Sequence, residues 1–212
     1  SIFFKLSNEY DPDCIWLTGT GPKKLFQRSE LKKKELKIVG KLNFISNIPQ
    51  KKKIRSKTGN TCLVIPEGIY SECKRLFQFS YYSALNDSSN FYIWRLHPVI
   101  NKQNVLKMLK IGNEENLPSN ISFSKEKNIK SDFLKSDFVL YRGSNAIISA
   151  IKYGLKPIYL EIKNEPNIDL FSLYKKTINY VNKPEQLSNI MNKKSKLFLK
   201  RKKILRFIKE NE

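Results

Sequence analysis

From residue 61 onward, short apolar runs alternate with stretches of helical period. Thr61–Ile65 (TCLVI), Phe91–Leu96 (FYIWRL), Asn120–Phe123, Asp137–Tyr141 and Lys156–Leu160 have strand length and are rich in Val, Ile, Phe and Tyr. Between them, Glu72–Leu85 carries Cys73, Leu76, Phe77, Tyr81 and Ala84 at helical spacing. Asn101–Ile111 and Lys125–Lys135 read as two further helices. Ala146, Ile147, Ala150 and Ile151 mark a short helix that Gly154 ends. Thr177–Val181 reads as a last strand, and Pro184 opens a helix at a first-turn position. Lys194–Glu210 is a basic amphipathic helix with Leu197, Phe198, Ile204, Leu205 and Ile208 on one side.

Ahead of residue 61 the pattern is sparser. Cys14–Thr18 is a strand candidate followed by a Gly19-Thr20-Gly21-Pro22 turn, a helix over Lys23–Lys34 and a strand over Glu35–Val39. Ile45–Asn60 is polar and basic and carries Pro49 and Gly59, which reads as linker. Four regions result: 1–45, a 46–60 linker, a 61–192 domain and a 193–212 basic helix.

Strands that alternate with helices form a parallel sheet with helices on both faces, an α/β fold. Ligands of such sheets bind outside the carboxyl ends of the strands. Pro66-Glu67-Gly68, His97-Pro98 and Arg142-Gly143-Ser144-Asn145 each follow a predicted strand, so the topology brings these three loops to one edge.

Composition narrows the picture. A 212-residue chain that is 40% hydrophobic and 12% aromatic can bury a core and is not a disordered protein. No apolar run approaches the ~20 residues that span a bilayer. Cys14, Cys62 and Cys73 form no CxxC or Cys/His cluster, which argues against a disulfide framework or a zinc site and for reduced thiols in the cytoplasm. The chain begins with Ser1, and Ile2-Phe3-Phe4 reads like the middle of an element, so a preceding part is expected. The formal net charge is +21. That charge attracts phosphorylated substrates, an anionic membrane surface or nucleic acid. The lysines are spread along the chain and accompany many Asn and Ile, so a compositional bias is the plainer explanation.

The candidate chemistry lies in the three loops. His97, the single histidine, can donate a proton or a charged hydrogen bond to a phosphate; the plainer alternative is a surface histidine ending a strand. Arg95, two residues back, is expected on the same face. Arg142, Gly143, Ser144 and Asn145 form a candidate anion cradle at a helix start, with Asn145 as a cap; the alternative is an ordinary turn. Glu67 can serve as a base or bind a sugar hydroxyl, Glu72 offsets a helix dipole, and Glu161 can face a ribose.

IPEGIYSECKRLF, FYIWRLHPV and SDFVLYRGSNAIISAIKYGLKPIYL, in this order, resemble the C-terminal, nucleotide-sugar-binding half of GT-B glycosyltransferases. More narrowly they are similar to bacterial capsule and O-antigen transferases of the CMP-sugar (sialyl or Kdo) type. The resemblance covers about residues 61–192, and residues 14–44 resemble the last βα unit of an acceptor-side domain. It implies a Rossmann-like domain belonging to a two-domain enzyme. It places leaving-group assistance on His97 and phosphate contact on Ser144, and it implies no cofactor or metal beyond the donor. The partners it implies are a nucleotide-sugar, with a CMP-sugar favoured, and a glycan or lipid-linked acceptor. The expected location is cytoplasmic, with peripheral contact to an anionic membrane; nucleic acid is the weaker partner. The sequence departs from the family in two ways. Ser149 stands where UDP- and GDP-sugar enzymes carry a ribose-binding glutamate, and Pro66-Glu67-Gly68 is the only text like the acidic-acidic-glycine motif of sialyltransferases. A nucleotide-sugar 2-epimerase and a basic nucleic-acid-binding protein are the competing readings.

Overall fold

The computed structural model describes residues 12–27, 34–40, 59–172 and 178–192, with Leu205 and Ile208. The expected C-terminal helix and linker lie almost wholly outside these residues. The chain divides into two compact units, Ser1–Asn47 with Lys202–Glu212, and Ile48–Arg201.

The first unit holds β1 (Cys14–Leu17), α1 (Thr20–Phe26) and β2 (Glu35–Ile38), with β1 and β2 paired in parallel. The helix starts at Thr20 rather than Lys23, so Gly21-Pro22 is its first turn and not a loop. Pro22 is tolerated there because the first N–H groups of a helix have no intrahelical partner.

The second unit is a six-stranded parallel sheet. Its strands are β3 (Thr61–Val64), β4 (Phe91–Trp94), β5 (Ile121–Phe123), β6 (Phe138–Tyr141), β7 (Lys156–Leu160) and β8 (Asn179–Val181), in the order β5-β4-β3-β6-β7-β8. All five pairings are parallel. The order runs outward from β3 in one direction and then restarts at β6 in the other, as in a Rossmann-like sheet. The seam between β3 and β6 is therefore the point where the chain reverses its winding.

All four residues of β3 and all four of β6 are buried, which requires cover on both faces. One face packs Cys62, Val64, Trp94 and Leu140 against α2 (Tyr70–Asn86), α3 (Lys102–Met108) and α6 (Pro184–Asn192). Phe77 of α2 meets Trp94, and Trp94 meets Phe123, at ring-centroid distances of 4.9 and 5.6 Å. Leu63 and Val139 alternate to the opposite face. There α4 (Ile129–Lys135) and α5 (Ala146–Lys152) supply Phe133, Ile147 and Ile151 to the core.

Local chemistry sets the ends. Asn101 and Asn128 cap α3 and α4 by accepting the amides of Asn104 and Lys130. The two helices are shorter than the sequence predicts, because Lys110 takes a left-handed turn (φ +57°) and the chain before Asn128 is loop. Gly154 ends α5 at φ +91°, as predicted.

Candidate functional site

The site grows from the seam. Beyond β3 the chain runs Ile65-Pro66-Glu67-Gly68 and then enters α2. Beyond β4 it reaches His97, and beyond β6 it reaches Arg142-Gly143. Because β3 pairs with both β4 and β6, the three loops share one edge.

Two glycines record how closely they meet. A Cβ on Gly143 would stand 2.6 Å from both carboxylate oxygens of Glu67, so that carboxylate lies directly on the Gly143 backbone. A Cβ on Gly68 would stand 2.9 Å from Cε1 and 3.1 Å from Nδ1 of His97. Glu67, Gly68, His97 and Gly143 are thus one cluster. The sequence names Gly143 for close approach of a phosphate, whereas in the structure the approach is used by Glu67.

The His-Pro pair orients the imidazole. His97 and Ile100 close a tight turn, with the Ile100 amide donating to the His97 carbonyl (2.9 Å) and Pro98 at its second position. The Val99 amide faces Nδ1 at 3.4 Å. With Nδ1 as acceptor, the proton of a neutral ring sits on Nε2.

Glu67 is half-buried, and its Oε1 has no hydrogen-bond partner among the described residues. Burial raises its carboxyl above the usual range and the Glu72 charge adds to this, while Arg142 and His97 pull the other way. The Cys73 thiol donates to the Glu67 backbone carbonyl (2.9 Å), which fixes the turn into α2.

The arginines are engaged within the chain. Arg142, 4% exposed, donates to Glu72 (2.8 Å) and Glu165 (2.9 Å), and Arg75 pairs with the same two carboxylates. This four-membered network ties the start of α2, the end of β6 and the loop after β7. Arg95, one residue past β4, keeps a ladder bond from its amide to the Val64 carbonyl (3.0 Å), and its side chain is engaged toward β5 and α4. It donates to Ser124, to the carbonyls of Glu126 and Lys127, and to Asp132, which is 1% exposed.

Ser144 is half-buried and Asn145 exposed at the start of α5. Asn145 occupies the cap position with helical backbone angles and makes no side-chain cap bond, contrary to the predicted cap. Glu161 follows β7, one strand beyond the seam. With Tyr159, Asn164, Asn182 and Glu165, the partner of Arg142, it lines a hollow of about 280 Å³. The sequence reading missed the arginine–glutamate network. It also missed a row formed by Tyr141, Tyr159 and Tyr180, level with one another on β6, β7 and β8. Asp169 accepts from the Tyr141 and Tyr180 hydroxyls, binding the loop after β7 to the sheet rim. Three tyrosines within one residue of a strand's end were the available signal. Among the described residues, no group of three His, Cys, Asp or Glu gathers as a metal cluster, and no helix is long and apolar enough to cross a membrane.

No family model matches the chain. No curated protein matches it either. Solved structures do match. The glycotransferase of kitacinnamycin superposes with a TM-score of 0.54 at 11% identity, over 93% of this chain and 51% of its own. The glycosyltransferase SnogD from Streptomyces nogalater gives 0.52 at 11% identity, over 82% of this chain and 44% of its own. The wall teichoic acid polymerase TagF, soaked with CDPG, gives 0.51 at 14% identity, over 94% and 52%. At such identity the likeness is one of fold: an α/β architecture shared with part of solved glycosyltransferases. The chain spans about half the length of these structures.

Proposed function

We propose that the chain carries the nucleotide-sugar-binding part of a glycosyltransferase. It moves a sugar from a nucleotide donor, with a CMP-sugar favoured, to a surface polysaccharide or lipid-linked glycan. One observation carries the reading: Glu67, Gly68, His97 and Gly143 converge at the winding seam of a sheet with this fold, where parallel α/β proteins bind their ligands.

In the reaction the bond from the sugar to the donor phosphate breaks and negative charge develops on the phosphate. The Nε2–H of His97 donates to that oxygen, and the Ser144 hydroxyl is near enough in the chain to Gly143 to share it. Arg142 and Arg95 serve by position: one holds Glu72 and Glu165, the other holds the loop after β5. The CMP preference is supported by the HP and Gly-Ser motifs and by Ser149, in α5, where a ribose-binding glutamate would stand. The charge of +21 would attract the chain to an anionic membrane surface, and the proposed location is cytoplasmic.

Calorimetric titration with CMP, UDP and GDP tests the reading. Saturable CMP binding, weakened at least about tenfold in His97→Ala, is the expected result. Binding of none of the three nucleotides refutes the assignment.

A further inference from the structure

A phosphate seated between His97 and Gly143 meets a carboxylate. Glu67 lies on Gly143, and its side chain already fills the approach that the missing Cβ opens. One of its oxygens is shut off from water and lacks a hydrogen-bond partner among the described residues. Two anions in contact in a partly desolvated pocket repel strongly, and such pairs are relieved when one of them takes a proton.

We propose that Glu67 is a donor-linked proton carrier: as a nucleotide phosphate enters beside Gly143, one proton from solvent passes to the Glu67 carboxylate, and the neutral acid donates a hydrogen bond to a phosphate oxygen. This rests on the nucleotide-donor reading and extends it by assigning Glu67 a direct contact with the donor phosphate.

The surroundings favour the step. Glu72 faces Glu67 from α2, His97 from beyond β4 and Arg142 from the end of β6; Cys73 of α2 adds a neutral thiol. Arg142 draws Glu67 toward the ionised form, but it is shared with Glu72 and Glu165, and burial with the Glu72 charge outweighs it. Burial and Glu72 already disfavour that form, so an arriving phosphate adds to an existing bias. His97 adjoins the same contact, so the test carries a His97 variant beside the Glu67 one.

The experiment is calorimetry of CMP and UDP binding near pH 8, where the nucleotide phosphate is ionised. Running it in two buffers of different ionisation enthalpy counts the protons taken up. Wild type and His97→Gln are expected to take up protons on binding, and Glu67→Gln none. Wild-type affinity should fall as pH rises, more steeply than that of Glu67→Gln, because a bound state that holds more protons is weakened as pH rises. Infrared difference spectra should show a protonated carboxyl on ligand addition to wild type and not to Glu67→Gln. Nucleotide binding without proton uptake, or with equal uptake in Glu67→Gln, overturns this proposal and leaves the donor reading standing. Binding of no nucleotide by wild type overturns both.

Discussion

Replacing Gly143 with alanine isolates the contact on which the site is built. The added Cβ lands 2.6 Å from both Glu67 oxygens and 2.7 Å from Cδ. That is roughly 1 Å inside the ~3.5 Å of an ordinary contact. Glu67 is the end of a flexible side chain, so it swings out and the backbone stays. The cost then falls in the lower part of the overpacking range, about 1–2 kcal/mol. Gly143 is not among the glycines with positive φ, so alanine fits its backbone. In a Glu67→Ala background the clash is gone, and the loss of unfolded-state freedom should make Gly143→Ala neutral or stabilising by about 0.4–1 kcal/mol. The two substitutions are therefore expected to be non-additive by about 2 kcal/mol. Urea denaturation of the four proteins measures this through the midpoint at constant m-value. Additivity within about 0.5 kcal/mol would refute the contact.

Three further outcomes follow from the geometry. Because the folded-state pKa of Glu67 is raised, the folded chain binds its proton more tightly than the unfolded one, so stability is lost as pH rises through the raised value. Glu67→Gln should remove that loss, and its advantage over wild type in thermal melts should grow from pH 4 to pH 8; an unchanged or shrinking difference contradicts the burial argument. Arg95→Ala strips Asp132, 1% exposed, of its cation and should cost on the order of 3 kcal/mol, with Arg95→Lys recovering only part because it lacks the planar fork; a fully stable Ala variant would show the clamp to be inert. Burial pushes the Cys62 thiol far up and the Cys73 thiol to about 11, so under native conditions at pH 8 a disulfide reagent should modify half-buried Cys14 first, with fast labelling of either buried thiol as the contrary result.

The strands were legible because a sheet buried on both faces needs continuous apolar runs, and TCLV, FVLY and KPIYL are such runs. Their carboxyl ends pointed to Glu67, His97 and Gly143. What Gly143 makes room for was not legible. That depends on β6 lying beside β3, a pairing between segments some 75 residues apart that no local pattern encodes. Arg95 and Arg142 looked available because their acidic partners, Asp132 of α4, Glu72 of α2 and Glu165 of the loop after β7, come from distant elements and only the fold brings them in. Asn145 has a cap residue's chemistry at a cap position, yet its helical backbone angles keep its side chain from bonding back to the helix.

The winding seam also divides the site's contacts by their separation along the chain. β3, α2, β4, α3 and β5 are neighbours in sequence and in space, so they can associate through short loops. β6 must close on β3 across the whole of that first half, and Ser83 of α2 waits longer still for Pro184 and Ser188 of α6. The Glu67–Gly143 contact straddles this closure. A nascent chain released before β6 has emerged holds Glu67 and His97 and still has no site, so ligand affinity in this fold reports on the joining of its two halves.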